Sequence, residues 1–396
     1  MSFYEFIKLR SSWEEYLLKE ENKEFPDKRA IKQINKILTE DIYLTFDQDY
    51  LNRFPLPKRK ELKNYNTSKT RTVYVYPGRY RLILKVMSMY LLKNYNHVFA
   101  NNSIAYTEGK SVKSAFNLLR SFRLKETDRV FKNDFSDYFN SIPLDLLSIK
   151  LKDFLKDDLD LCELIMSLLE EERVKVNNKV VIDNHKGVMA GSPIAGILAN
   201  IYMHEVDMLM YEKKYKYIRY ADDTLIVGKE ALDFFIKEIE KLGIKLNPKK
   251  MKEFNLKTGI TFLGFKYVGR TIDISDKALQ KMKSRFKRRA KWYIQWAKRK
   301  HVKKDVALKD YIKKINYKLY SDQDDSINWS RWYLPNINTI ESLKYLDQYF
   351  VSCIRYLDSE TWTKGKKFYR LSYDKIKELG YQSLVNEYYK IKKGKA

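Results

Sequence analysis

The sequence is poor in the residues that build zinc sites and disulfide frameworks. Its 396 residues hold two cysteines, Cys162 and Cys353, and four histidines, His97, His185, His204 and His301. None of them stands at ligand spacing, which argues against either kind of site. Long apolar runs are also missing: no stretch of about 18 uninterrupted apolar residues occurs, so no segment is expected to cross a membrane. The N-terminus, MSFYEFIKLRSSWEEYLLKEENKEF, mixes charged and apolar residues at helical spacing and lacks the basic-then-apolar order of a secretory signal. A cytoplasmic location is the expectation. Acidic residues are few beside basic ones, 51 Asp and Glu against 77 Lys and Arg, a formal net charge of +26. Such an excess repels itself unless a polyanion offsets it, and nucleic acid is the natural partner. A generically basic composition or an anionic membrane surface gives the same balance. Aromatic content of 14%, with 31 tyrosines, adds weight, because Tyr faces stack on unpaired bases while Lys and Arg track phosphates. Most of these rings are still expected in the core.

Along the chain, residues 1–56 read as helical and irregular, interrupted by Pro26 and Pro55. The run Thr70-Arg-Thr-Val-Tyr-Val-Tyr-Pro77 has strand composition and stops at Pro77-Gly78, after which Tyr80–Leu92 has helical apolar spacing. Ser111 is a candidate N-cap for a helix over Val112–Leu119. Strands are expected at Val130–Asp134, at Tyr217–Tyr220 with Leu225–Val227, and at Gly259–Lys266. Helices are expected at Leu144–Glu172, Pro193–Tyr211 and Ala231–Leu242. This order predicts an α+β fold, an antiparallel sheet backed by helices on one face, with a tight hairpin through Ala221-Asp222-Asp223. From about Asp276 the strand signals cease. Met282–His301 is a strongly basic helix interleaved with Trp292, Tyr293 and Trp296, and it opens a mainly helical C-terminal region.

Two aspartates side by side in a turn between apolar strands hold like charges together, at a cost that a bound cation removes. Ile218-Arg-Tyr-Ala-Asp-Asp-Thr-Leu-Ile-Val227 is such a segment. A Tyr-x-Asp-Asp string arises by chance on the order of 0.1 times in a chain of this composition, so context decides. Upstream, Asp134 ends the short apolar strand of Val130-Phe-Lys-Asn-Asp134; taken alone it reads more readily as a helix or turn cap. Nucleotidyl transfer to a 3′-hydroxyl uses a few aspartates at adjoining strand ends to hold two Mg²⁺ ions about 3.5–4 Å apart.

These residues resemble the reverse transcriptases, in particular bacterial ones related to group II intron proteins, over roughly residues 57–270. Asp134 with Phe135-Ser-Asp-Tyr-Phe139 is similar to the first catalytic motif of that family, and Tyr220-Ala-Asp-Asp223 to the second. Between them Gly191-Ser-Pro-Ile-Ala-Gly-Ile-Leu-Ala-Asn-Ile-Tyr202 resembles a conserved family block. Leu242–Lys250 and Thr261-Phe-Leu-Gly-Phe265 resemble the motifs that follow, and Ser103–Ser111 the segment that precedes. The block departs from the pattern in one respect: Ala190 or Gly187, depending on the alignment, stands where many polymerising members carry Gln. Members that vary here include those of diversity-generating elements and of antiphage defence. The sequence also lacks the Val-Thr-Gly triplet and the early His that retrons usually show.

The resemblance implies a right-hand polymerase, with an N-terminal helical extension at 1–56, fingers and palm at 57–275 and a basic helical thumb at 276–396. It implies that Asp134, Asp222 and Asp223 are catalytic, and that together with Phe135 they form the site of two Mg²⁺ ions, for which Mn²⁺ is a possible substitute. Phe139 stands at the aromatic steric gate that favours dNTPs over NTPs; by composition alone it is an ordinary core Phe. Nucleotide binding falls to Arg71 first, with Arg81, Gly191 and Lys250; Lys69 and Arg79 lie in or beside the same hairpin. Leu263 and Gly264 match the primer grip. Lys283, Arg285, Lys287, Arg288, Arg289 and Lys291 are placed to grip nucleic-acid phosphates, although an exposed solvated face has the same composition. The partners implied are an RNA template, the DNA product and dNTPs. The expected activity is RNA-directed DNA synthesis by a stand-alone enzyme in bacterial antiphage defence that copies a noncoding RNA. The alternatives are an untemplated or protein-primed DNA synthase, and a maturase-like RNA-binding scaffold.

Overall fold

The computed structural model describes residues 1–23, 26–63, 70–184, 187–320, 329–362 and 371–394. Eleven strands occur among them: β1 Lys58–Lys63, β2 Thr70–Val75, β3 Val130–Asp134, β4 Arg173–Val176, β5 Lys179–Ile182, β6 Tyr217–Tyr220, β7 Asp223–Val227, β8 Lys252–Phe254, β9 Ile260–Phe262, β10 Phe265–Val268 and β11 Thr271–Ile274. They form three sheets, in the orders β2-β1-β4-β5, β6-β7-β3-β8 and β11-β10-β9. All pairings are antiparallel except a short parallel contact of β1 with β4. The fold is thus α+β, as its hydrophobic periodicities predict. The chain divides into two compact units, Met1–Phe254 and Asn255–Ala396.

The core of the first unit forms around two helices, Gly78–Tyr95 and Ala195–Glu212, which are apolar on nearly every face. A helix of that composition is stable in water only when surrounded. The expected helix over Leu144–Glu172 is two helices, Leu144–Phe154 and Leu159–Glu170. Asp158 explains the break. Its carboxylate caps the second helix at Leu161 N and also accepts from Phe3 N and Tyr90 Oη, both at 2.7 Å. A residue in continuous helix cannot make that N-cap. The N-terminal helices Phe3–Ile7 and Arg10–Glu21 are thereby tied to the unit, with Trp13 fully buried and its Nε1 donating to Ile7 O at 2.7 Å.

In the second unit the expected strand Gly259–Lys266 is a hairpin. Phe262 pairs with Phe265, and the two-residue loop Leu263-Gly264 has φ of +51° and +84°. Positive φ at both loop residues gives the twist that flanking strands require. The basic helix begins earlier than its charge pattern suggests, running Asp276–Lys300 with Ser275 as N-cap. It packs on Glu341–Ser359 through the stacked rings of Phe286 and Phe350, 4.9 Å apart, and on Lys304–Tyr320 through Tyr311, whose hydroxyl donates to Phe286 O. No helix among the described residues is long and apolar enough to cross a membrane.

Candidate active site

The β6–β7 hairpin turns through two residues only, Ala221 and Asp222, because Tyr220 pairs with Asp223. Strand β7 therefore starts at Asp223, two residues before its apolar run. Ala221 has φ of +55°, a conformation that costs a residue with a Cβ about 1–2 kcal/mol. The loop is held in it from both sides. Phe135 N donates to Asp222 O at 3.3 Å, and Arg219 Nη1 to Ala221 O at 3.4 Å. On the neighbouring strand Asp134 lies directly opposite Asp223 in register. Opposed antiparallel residues have Cα atoms about 4.5–5.5 Å apart, so three carboxylates meet at adjoining strand ends. Asn247 N, donating to Asp134 O at 2.7 Å, fixes the end of β3.

This crowding shows in the acidity of the site. Burial, then the charges of Asp223 and Asp134, raise the Asp222 pKa above the ordinary carboxylate range, against an opposing pull from Lys250. Two lysines supply countercharge. Lys250 Nζ pairs with Asp134 Oδ1, and Lys132 Nζ lies 2.8 Å from Asp223 Oδ1. Lys132 precedes Asp134 by two residues, so the strand period puts both on one face. Among the described residues no three His, Cys, Asp or Glu side chains converge in metal-ligating geometry; here the ammonium groups face the carboxylates. The donor set nevertheless fits hard divalent cations: oxygen-only ligands, mutually repelling and partly desolvated. The Phe135 ring is buried and stacked on Tyr138 at 4.8 Å, so that residue has only its backbone to offer the site.

Phe139 follows on the short helix Tyr138–Ser141, half-buried, its ring 5.4 Å from Tyr138 and 6.1 Å from Tyr106. The segment ahead of helix Ala195–Glu212 braces it. Val188 N donates to Phe139 O at 2.9 Å, and a Cβ on Gly187, whose φ is +46°, would stand 2.3 Å from the same oxygen. Gly191, at φ +94°, faces β2, where a Cβ would meet Val73 at 3.1 Å, while Tyr74 N donates to Ala190 O at 2.8 Å. Only a backbone without side chains at these two positions fits between β2 and Phe139. Arg71 is exposed on β2 opposite Leu62, and Arg81 is half-buried in the first turn of helix Gly78–Tyr95. Lys69 lies outside the described residues.

The family described as reverse transcriptase (RNA-dependent DNA polymerase) matches residues 56–267. The chain belongs to the reverse transcriptase family. Among solved structures, apo telomerase from Candida tropicalis truncated from its C-terminal domain is 16% identical, with a TM-score of 0.43 over 56% of this chain and 55% of that one. Apo telomerase from Candida tropicalis is 14% identical, with a TM-score of 0.45 over 82% and 69%. Telomerase from Candida albicans in complex with a TWJ fragment of telomeric RNA is 13% identical, with a TM-score of 0.41 over 87% and 66%. This reverse transcriptase spans about half the length of the first of these chains. No curated protein matches it.

The remaining sequence candidates fall in the second unit. At the Leu263-Gly264 loop, Trp332 Nε1 donates to Leu263 O at 3.2 Å, and a Cβ on Gly264 would stand 2.6 Å from Tyr333 Oη. The glycine thus serves a tyrosine of its own unit. The six basic residues of helix Asp276–Lys300 do not form one stripe. The Lys283 ammonium lies over the rings of Tyr345 and Tyr349, at 4.6 and 4.7 Å, and that of Lys287 over Trp362 at 4.8 Å. Arg285, Arg288 and Arg289 line a cavity against helix Lys304–Tyr320, and Lys291 is exposed.

Sequence reasoning missed what lies beneath the hairpin. Arg219 and Asp207 are each about 1% exposed. The guanidinium bonds both Asp207 oxygens, Asn200 Oδ1 at 3.0 Å and Ser103 Oγ at 2.8 Å, and Tyr217 Oη donates to Asp207 Oδ1 at 2.9 Å. Burial works against the Arg219 charge, but Asp207 outweighs it and raises the guanidinium pKa. A visible signal existed: Asp207 falls in the middle of a mainly apolar helix, and Arg219 is the one charge in a four-residue strand. Tyr106 was also missed. It sits at φ +56° over Gly196, where any Cβ would strike its ring at 2.4 Å. Partial burial, then the Asp222 charge, raise its pKa.

Proposed function

We propose that this reverse transcriptase carries out RNA-templated DNA synthesis, with Asp134, Asp222 and Asp223 as its catalytic carboxylates. The observation that carries the reading is the register of Asp134 opposite Asp223, with Asp222 in the loop that Phe135 N and Arg219 hold. The reaction joins the primer 3′-oxygen to the α-phosphorus of a dNTP and releases pyrophosphate. Asp134 and Asp222 are the residues to hold two Mg²⁺ ions, or Mn²⁺ in their place, and Asp223 supports them. When bound, the ions lower the pKa of the attacking hydroxyl and neutralise the triphosphate. Until then Lys250 and Lys132 supply the countercharge, paired with Asp134 and Asp223. Phe139, held by Val188 and Tyr138, forms the wall against which a ribose 2′-hydroxyl clashes, and Arg71, Arg81 and Gly191 shape the nucleotide side. Leu263 and Gly264 are assigned to the primer. In this reading residues 57–275 are fingers and palm, and 276–396 the thumb.

The setting we propose is a bacterial antiphage system with a noncoding RNA template. It rests on the group II-like motif order and on the departure at Ala190. The test is extension of a DNA primer on an RNA template by the purified chain with Mg²⁺ and single dNTPs. Incorporation that follows the template base supports the reading. Incorporation without template points to an untemplated synthase, and none at all, with RNA still bound, to a scaffold. Sequencing the nucleic acid that copurifies with the chain identifies the template.

A further inference from the structure

Helix Asp276–Lys300 has a second face, turned away from Tyr345, Tyr349 and Trp362. A cavity of about 400 Å³ opens between it and helix Lys304–Tyr320. Its floor is apolar, made of Phe286, Ile315 and Leu319. Its cationic lining is Arg285, Arg288, Arg289 and Lys318, and no carboxylate lines it among the described residues. Trp292 forms one wall; it is 46% exposed and is held by parallel stacking on Trp296 at 5.9 Å and 9°. The residues from the basic helix stand at 282, 285, 286, 288, 289 and 292, which helical spacing gathers on one face.

We infer that this cavity is a binding site for one unpaired nucleotide of a nucleic-acid strand, its base against Trp292 and the apolar floor and its phosphate on the cationic lining. The chemistry excludes the obvious rivals. A duplex offers its phosphates on a convex surface and hides its bases, so it has no use for an apolar floor. A volume near the lower end of small-ligand pockets, about 300–1,000 Å³, admits one base with its sugar but no paired segment. A carboxylate peptide matches the cationic lining and leaves the flat aromatic wall unused. A nucleotide has both parts in one unit: a polarisable face that stacks on indole whatever the base, and an anion at one end. The partition of the helix supports this. Lys283 and Lys287 are engaged with rings on the opposite side, while the arginines, whose planar groups suit phosphate, gather at the cavity. The site goes beyond the polymerase reading and does not depend on it.

The experiment uses the full chain and a short 5′-phosphorylated single-stranded oligonucleotide with 2-aminopurine inside, in ribo and deoxyribo forms, beside a fully paired duplex of the same sequence. Stacking on Trp292 quenches the 2-aminopurine fluorescence. Trp292→Leu is expected to abolish the quench and to weaken single-strand binding by roughly 5- to 150-fold, while Trp292→Phe retains both. Arg285→Gln with Arg289→Gln is expected to lower the slope of log affinity against log salt for the single strand by about 0.7 for each phosphate that is no longer neutralised. The duplex should keep near wild-type affinity in Trp292→Leu. The tighter of the two single-stranded forms names the strand that enters. An Asp222→Asn variant should retain the quench, which separates failure of the cavity from failure of the polymerase assignment. Unchanged affinity and quench in Trp292→Leu overturn the inference. So does an equal loss for single-stranded and paired probes, which marks a general phosphate surface.

Discussion

Arg219→Met tests whether the buried ion pair beneath the hairpin positions the loop proposed to be catalytic. The substitution leaves the Asp207 carboxylate without a cation in a place about 1% exposed, with only Tyr217 Oη still donating to it. Removing one partner of such a pair costs about 3–5 kcal/mol. For a unit of this size each kcal/mol moves the melting temperature by about 2–4 °C, so a fall of about 6–20 °C is expected. The double variant Asp207→Leu with Arg219→Met buries no charge at all. It should be no less stable than either single variant, a coupling energy of about 3 kcal/mol. It does not restore the bond from Arg219 Nη1 to Ala221 O. Primer extension should therefore stay impaired in kcat even where stability returns. Thiol labelling in urea, read peptide by peptide, follows the two units separately, because Cys162 is buried in the first and Cys353 in the second. A cost below about 1 kcal/mol for Arg219→Met, or strictly additive losses, would refute the reasoning.

Three further outcomes follow from the same geometry. Phe139→Ala should raise NTP use relative to dNTP, read as the ratio of kcat/KM values; an unchanged ratio assigns Phe139 to the core. Gly187→Ala should destabilise the first unit by more than about 2 kcal/mol in the same urea assay, since the new Cβ meets Phe139 O at 2.3 Å on a left-handed backbone. A wild-type midpoint would mean that this segment is not braced as described. Because the folded pKa of Asp222 is raised, its ionised form costs stability above that pKa, and the cost vanishes as pH falls through it toward the unfolded value of about 3.9. Asp222→Asn should thus melt above wild type at neutral pH without divalent ions, by about 2–4 °C per kcal/mol relieved, and the two curves should converge in acid. Added Mg²⁺ should narrow the gap by stabilising only the wild type.

Much of this was legible in the residues because local pattern and global fold agree. Strand β3 and the hairpin were readable from short apolar runs that end in aspartate. Helix Ala195–Glu212 was readable from its mainly apolar composition. What escaped was decided by distant partners. The helix break at Asp158 exists because Phe3 and Tyr90, far away in sequence, bond its carboxylate. Strand β1, Lys-Arg-Lys-Glu-Leu-Lys, carries five charges in six residues, so its pairing with β2 and β4 is what makes it a strand. The hairpin at Leu263-Gly264 reads as one strand because Leu rarely takes positive φ. At the candidate site the aspartates were visible as a motif, but the lysines facing them and the Arg219–Asp207 support required the register and the burial. The run of bases over Met282–Lys291 looked uniform, and aromatic partners on helix Glu341–Ser359 and at Trp362 divide it.

The central claim is that Asp134 and Asp222 hold the ions of a nucleotidyl-transfer site. Its most direct measurement is single-nucleotide incorporation on a primer and RNA template with Mg²⁺, comparing wild type with Asp134→Asn and Asp222→Asn. Each amide is nearly isosteric with the carboxylate and a poor ligand for Mg²⁺. Thermal melting and primer–template binding confirm that both variants remain folded. The account predicts that incorporation is lost in both while binding of nucleic acid persists. Activity within about tenfold of wild type in either folded variant, a barrier change of only about 1.4 kcal/mol, would contradict it.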